Sequence, residues 1–432
     1  MKMANMDDYF DVVIVGTGAA GLYCALNLPA RYRILLLTKQ KADESDSFLA
    51  QGGICMQHGE ADYRPFFDDT MRAGHYENNP ATVDLMIRSS NSIIRDLVRR
   101  GVRFARDDHG ALRFTREGAH SRPRILFHED ITGHEITQTL LNEVLRCENI
   151  ELREHTTLLD FFADASACGG VIAAGPDGEP RAIGAGAVVL ACGGIGGLYK
   201  NSTNFPHITG DAIAMALRHG VACEHLDYIQ IHPTTLYSHR KGRRFLISES
   251  VRGEGALLLN KNGNRFTNEL QPRDVMSAAI RAQMEKDGTD HVWEDMRPIG
   301  EAAIREHFPN ILERCEDEGY DPIHEPIPVV PAQHYFMGGI TADLSSRTAL
   351  PRLYACGETC CNGVHGRNRL ASNSLLESLV FAQRAADDIL YGEPPVFTGD
   401  KPDLAPYREQ EPLFAAYRQE VLTAIERSKN DE

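Results

Sequence analysis

No two of the ten cysteines are spaced as CxxC, and in a chain of 432 residues ten thiols without such pairs are not a small disulfide framework. The nearest grouping, Cys356, Cys360 and Cys361, reads as reduced thiols of a cytoplasmic protein. No apolar run reaches about 18 residues without a glycine or polar break, which argues against a membrane span. The opening MKMANMDDYF has two aspartates and no apolar core, so it is not a secretory leader. Basic residues are in short supply: 45 Lys and Arg stand against 61 Asp and Glu, a formal charge of −16. A field of that sign repels phosphates and excludes a general role on nucleic acid or anionic membrane. It leaves room for a local basic pocket that takes an acidic metabolite. Repeats of about 20 to 50 residues are absent. The composition, 42% hydrophobic and 25% charged, is that of a globular protein. The length suits roughly two to three domains.

The strongest positive signal lies near the start. Asp11 to Val15 is a continuous β-branched run, as expected of a strand covered on both faces. It leads into Gly16-Thr17-Gly18-Ala19-Ala20-Gly21. A helix is predicted over Leu22 to Leu28, stopped by Pro29, and a second strand over Arg33 to Thr38. Strand, glycine turn, helix and strand in this order form a dinucleotide fingerprint in its required context. Gly16 permits the tight turn, Gly18 admits a pyrophosphate, and Gly21 lets helix and strand pack closely. The second strand ends in Thr38-Lys39, without the acidic residue that often holds ribose hydroxyls, so the adenosine contact differs in detail.

Further along, helices are predicted from Asn79 to Arg100, closed by Gly101, and from Glu135 to Arg146. Ala187 to Gly194 reads as a buried strand, and Asp211 to His219 as a helix stopped by Gly220. From Glu224 to Phe336 the texture changes to His, Arg and Pro with long loops. Pro351 to Glu358 returns to a strand ending in glycine, followed by a helix from Ser374 to Leu390 and another near Leu413 to Arg427. The pattern describes an α/β fold: a Rossmann-like nucleotide domain interrupted by an inserted α+β capping domain. The expected boundaries are 1–224 and 337–405 for the two parts of the nucleotide domain, 225–336 for the insertion, and 406–432 for a short helical tail.

Nine blocks carry a resemblance to a known family. They are Gly16 to Gly21, Ser47 to Gly53, Thr115 to Ser121, His232 to Thr234, Arg252 to Ala256, Pro272 to Asp274, His334 to Gly339, Gly357-Glu358, and Arg369 to Glu377. In number and order the chain resembles the L-aspartate oxidase family, within the succinate dehydrogenase and fumarate reductase flavoproteins. The resemblance implies FAD as the dinucleotide. Its contacts then fall on Gly16, Thr17, Gly18, Ala19, Ala20, Gly21 and Lys39; on Asp46, Ser47, Phe48, Leu49, Ala50, Gln51, Gly52 and Gly53; and on Asp211, Glu358, Ser374 and Leu375. Ser374 and Leu375 open a helix whose N-terminus places positive potential at the flavin. Membrane-bound relatives attach flavin to a histidine just before the Gln-Gly-Gly segment. Asp46 stands there here, which implies non-covalent FAD. Typical members also continue into a C-terminal helical domain, so the chain is expected to be a short form lacking most of it.

A dicarboxylate needs a cationic or donor cluster at each end, and arginine forks suit planar carboxylates. By resemblance His232, Ser248 and Gln230 hold one carboxylate, and His334 and Arg369 the other. Arg273 matches the residue assigned to proton transfer. An arginine is a poor base alone, so it either shuttles a proton with Glu249 and Arg252 or chiefly polarises the substrate. Taken singly, each of these also has an ordinary structural role, as a core histidine or ion-pair arginine. Glu117 decides between substrates, because a buried carboxylate near the ammonium discriminates against a diacid without one. Thr115 to His120 and Ala371 to Glu377 resemble the aspartate oxidase versions of their blocks. The implied reaction is two-electron oxidation of L-aspartate to iminoaspartate. Dioxygen or fumarate reoxidises the flavin, and quinolinate synthase consumes the imine at the start of NAD biosynthesis. A soluble fumarate reductase is the runner-up expectation. A non-catalytic redox sensor using Cys356, Cys360 and Cys361 is the third. No metal is expected.

Overall fold

The structure is a computed structural model that describes residues 8–240, 242–392 and 397–430. Most of the opening stretch read as lacking a leader, residues 1–7, lies outside the described residues. Strand β1 (Tyr9–Val15) turns sharply into helix α1 (Ala19–Asn27), and β2 (Ile34–Leu37) returns beside it. Gly16 has φ +114°, and a Cβ there would stand 2.0 Å from Ala191 O. A Cβ on Gly21 would stand 1.9 Å from Gly16 O, so helix and turn touch as the spacing predicts.

Helices α2 (Pro80–Arg100) and α3 (Thr132–Val144) cover one face of the sheet. Asn79 caps α2 by accepting from Ala81 N–H, Pro80 opens it, and Gly101 in the left-handed region closes it. Strands β3 (Ile150–Arg153), β4 (Thr157–Ala163), β5 (Cys168–Ala174) and β6 (Pro180–Leu190) follow. The seven-stranded sheet runs β3-β2-β1-β6-β5-β4, with its seventh strand, Leu353–Ala355, paired off this path with β6. β6 is longer than the predicted Ala187–Gly194 segment because its two halves have different partners. Residues 180–184 pair antiparallel with β5, whereas Val188 to Leu190 pair parallel with the last strand of the sheet. Helix α4 (Asp211–Arg218) packs on the face opposite α1.

The insertion begins with β7 (Ile229–Leu236) and contains helix α5 (Glu249–Gly253), β8 (Leu257–Leu259), helix α6 (Arg273–Asp287), β9 (Val292–Asp295) and β10 (Ile327–Phe336). Its four strands form an antiparallel sheet, β7-β10-β9-β8, with a separate core of Met276, Ile280, Val292, Ile327 and Val329. The chain then returns through β11 (Leu353–Ala355) to helix α7 (Asn373–Tyr391) and ends in α8 (Gln410–Asn430). α8 buries Tyr417, Val421 and Ile425 in the same core as α4. The tail is thus packed against the nucleotide-binding fold. Among the described residues no helix is long and apolar enough to cross a membrane.

Candidate active site

One long cleft, enclosing about 1720 Å³ of empty space with its mouth, runs from the β1 turn to the inserted domain. Its far end is bordered by Gly16, Thr17, Gly18 and Ala20, by Lys39, and by Asp46 and Ser47. Ser47 Oγ accepts from Ala19 N–H at 3.0 Å, which supplies the cap that Gly18 lacks. Lys39 Nζ pairs with Asp211 at 2.7 Å, giving a cation and a carboxylate where the second strand lacks its usual acid. Thr17 Oγ1, Ser45 Oγ, Asp46 Oδ2 and Gln51 Oε1 are buried without a partner, and all four residues border the cleft. Orphaned buried polar atoms are rare in native folds. Four around one elongated cavity fit a ligand with many hydroxyls and phosphates, as FAD has.

Burial pushes the Asp46 carboxyl up to about 7, against the pull of Phe205 N–H and Arg243. Burial, reinforced by Asp46, pushes Glu358 up to about 8. Glu358 Oε1 accepts from Phe336 N–H at 2.8 Å. Ser374 and Leu375, in the first turn of α7, face the cleft. Leu49, Ala50, Gln51, Gly52, Gly53 and Asp211 also border it. Ala19, Gly21 and Phe48 do not: Gly21 is spent on packing, and the Phe48 ring packs edge-on against His134.

At the near end the cleft is walled by side chains from both domains: Glu117, His232, Ser248, Glu249, Arg273, His334 and Arg369. Arg273, at the N-terminus of α6, donates from Nε to Glu249 Oε2 at 2.6 Å and from Nη1 to Gln230 Oε1 at 2.9 Å. Arg369 donates to the same Gln230 oxygen at 3.2 and 3.3 Å, stacks over the Tyr335 ring at 4.1 Å, and donates to Ser374 Oγ. Burial and the nearby Arg273 lower its pKa to about 10, so it remains cationic at neutral pH.

The two carboxylates are shifted in opposite directions. Burial would raise Glu249, but Arg273 and Arg252 outweigh it and hold the group below the usual glutamate range. Burial and the Glu249 charge raise Glu117. Such divergence between neighbouring acids marks distinct roles. His232 and His334 are pushed well below the ordinary imidazole range by burial and by the surrounding charges, so both are neutral. Their rings stand 5.0 Å apart, edge to face. His334 Nδ1 meets Thr203 Oγ1 at 2.7 Å. His232 Nε2 is buried and unpartnered, while its Nδ1 faces Thr234 O and N–H. With its proton on Nδ1 the ring donates to Thr234 O at 3.0 Å; a carboxylate at Nε2 requires the proton there instead, with Nδ1 accepting from Thr234 N–H at 3.2 Å.

Two predicted residues stand back from the cleft. Gln230 lies behind the arginines and orients them, and its own amide donates to Asn368 Oδ1 and Arg369 O at 2.8 Å each. Arg252 turns away to Thr234 Oγ1 and Glu269 O. It therefore acts on the site only through its field and through Thr234. Ser248 borders the cleft and caps α5 through Ser250 N–H. Arg243, Thr203, Tyr335 and Ser372 also border the cleft and Ser250 bonds Glu117, although no sequence motif assigns these five a role. Tyr335 and Ser372 lie inside the His334–Gly339 and Arg369–Glu377 blocks, and Ser250 follows Glu249 directly. Cys356, Cys360 and Cys361 are all buried, and burial raises their thiols, Cys361 to about 12. They are not poised thiolates, which removes the support for the redox-sensor reading.

The FAD binding domain family matches residues 11–375. The L-aspartate oxidase of Clostridium perfringens is 48% identical over 380 residues, covering 88% of this chain and 86% of that one. The L-aspartate oxidase of Nostoc sp. is 44% identical over 442 aligned positions, covering 98% and 76%. Among solved structures, a quinol-fumarate reductase with menaquinol molecules has a TM-score of 0.85 at 32% identity, covering 95% of this chain and 75% of that one. The FrdA chain of an E. coli quinol fumarate reductase variant has a TM-score of 0.83 at 31% identity, covering 95% and 74%.

Proposed function

The chain belongs to the L-aspartate oxidase family of FAD-binding flavoproteins, and from that premise we propose how its cleft selects and holds the substrate. It is an FAD-dependent oxidoreductase that converts L-aspartate to iminoaspartate, in the service of NAD biosynthesis. The bound FAD supplies a two-electron acceptor. The residues proposed to hold it are Gly16, Thr17, Gly18 and Ala20 of the glycine turn, Lys39, Asp46, Ser47, Leu49, Ala50, Gln51, Gly52, Gly53, Asp211, Glu358, Ser374 and Leu375.

The chain's own residues do the rest. Arg369 and His334 grip one carboxylate; Ser248 and His232, with its free Nε2, grip the other. Arg273 is held by Glu249 and Gln230 beside the reacting carbon. The ionised Glu249 fixes the Arg273 guanidinium in place, so Arg273 acts chiefly by orienting and polarising the substrate. Glu117 faces the ammonium. The observation that carries this reading is a buried carboxylate, 3% exposed, set among neutral histidines and two cationic arginines. A plain diacid leaves that carboxylate unpaired, which is costly in a dry site.

The two electrons leave on dioxygen, giving hydrogen peroxide, or on fumarate, giving succinate. Fumarate presents the same two carboxylates, so one pocket serves both halves of the cycle. The imine hydrolyses readily in water, which favours a consuming partner such as quinolinate synthase in the same cytoplasmic compartment. The test is anaerobic. L-Aspartate is expected to bleach the flavin and fumarate or air to restore its colour, whereas bleaching by succinate but not by L-aspartate would favour a succinate or fumarate enzyme.

A further inference from the structure

Glu117 is held by two serines that come from different parts of the chain. Oε1 accepts from Ser250 Oγ at 2.8 Å, and Oε2 accepts from Ser372 Oγ at 2.6 Å. Ser250 belongs to α5 of the inserted domain, and Ser372 directly precedes α7 of the nucleotide domain. A Cβ on Gly52 would stand 2.4 Å from Glu117 Oε1, so the carboxylate fills space that a glycine keeps open.

The backbone at Ser372 is unusual. Its φ is +62°, a left-handed conformation that glycine adopts freely and serine does not. Such residues persist where their surroundings over-determine them, and they cluster at functional sites. Here Cys55 N–H donates to Ser372 O at 3.0 Å. The preceding carbonyl, Ala371 O, accepts from His120 Nε2 at 3.0 Å. The histidine tautomer follows from its other neighbour. Arg124 can only donate, and its Nη1 stands 2.8 Å from His120 Nδ1, so the ring proton sits on Nε2. Burial, with the Arg124 charge, lowers His120 to about 4, which keeps the ring neutral. Arg124 is fully buried and fixed by Asp62 at 3.0 Å and Asp69 at 2.8 Å. A rigid chain of contacts thus holds a strained residue whose hydroxyl is directed at Glu117.

We propose that Ser250 and Ser372 are the positioning residues for substrate choice: they hold the Glu117 carboxylate as the acceptor for the ammonium of an amino dicarboxylate. Because one serine comes from each domain, the acceptor is complete only when the inserted domain is seated. The inference rests on the reading of Glu117 as the ammonium's partner.

The experiment compares Ser372→Ala, Ser372→Gly, Ser250→Ala and Glu117→Gln holoenzymes. It measures the KM for L-aspartate and, from flavin absorbance, the Kd for succinate. Each serine variant is expected to raise the aspartate KM roughly tenfold, as loss of a hydrogen bond to a charged group does. The succinate Kd is expected to stay within about twofold. Ser372→Gly is expected to match Ser372→Ala in KM while melting no lower, since glycine relieves the strain. Adding Ser372→Ala to Glu117→Gln is expected to cost nothing further. Equal weakening of both ligands, or additive losses in the double variant, overturns the proposal. If Glu117→Gln discriminates and the serine variants do not, the proposal alone falls. If Glu117→Gln leaves aspartate unaffected, the reading of Glu117 falls and takes the proposal with it.

Discussion

Arg273 and Arg369 share one acceptor, the side-chain carbonyl of Gln230, which receives Arg273 Nη1 at 2.9 Å and Arg369 Nη2 at 3.2 Å. Two guanidinium groups from different domains are thus tied through a neutral atom. Their charge remains available to the cleft, which suits capture of a dianion. A carboxylate in place of the amide would bind both arginines more tightly and cancel part of that field. Gln230→Glu is therefore expected to weaken succinate binding at least about tenfold without lowering the melting temperature. Titration of the flavin spectrum with succinate measures the first, and thermal melting the second.

The carboxyls at the nucleotide end make the fold sensitive to pH. The folded pKa values are raised, to about 7 for Asp46 and about 8 for Glu358, because burial disfavours their charged forms. Between the ordinary carboxylate range and those values, the folded chain holds more protons than the unfolded one. The contribution of these two groups to stability is therefore full at low pH and is lost as pH rises through that window. The apoprotein is expected to melt lower at pH 8 than at pH 6, and Asp46→Asn to reduce the difference. Melting curves at the two pH values, for the parent and for Asp46→Asn, check this.

Asp46 also bears on how FAD is held. A buried carboxyl bonded to Phe205 N–H at 2.9 Å offers no histidine nitrogen for a covalent link to the flavin ring. Acid precipitation is expected to leave the protein colourless and the supernatant yellow. Colour retained on the precipitate would contradict non-covalent binding.

The glycine turn and its flanking strands were legible because their constraints are local: Gly21 answers a contact within the turn and Gly16 one at the end of the adjacent strand β6. Helix α2 was legible for the same reason, with Asn79, Pro80 and Gly101 marking its ends. β6 was read too short because its first half is rich in glycine and alanine, and its pairing with β5 is a tertiary fact. Arg252 shows the limit of sequence proximity. It lies on one short helix with Glu249, yet its guanidinium turns to Thr234 and Glu269. Ser372 shows the converse. Nothing in its identity announces a left-handed backbone, which depends on partners far away in the chain, His120 and Cys55.

Selection of the amino dicarboxylate over a plain diacid falls to Glu117. Steady-state kinetics of Glu117→Gln with L-aspartate as donor and with fumarate as acceptor separate that choice from the grip on the carboxylates. The KM for L-aspartate is expected to rise at least about tenfold while that for fumarate changes less than about twofold. Equal changes in the two would contradict the assignment.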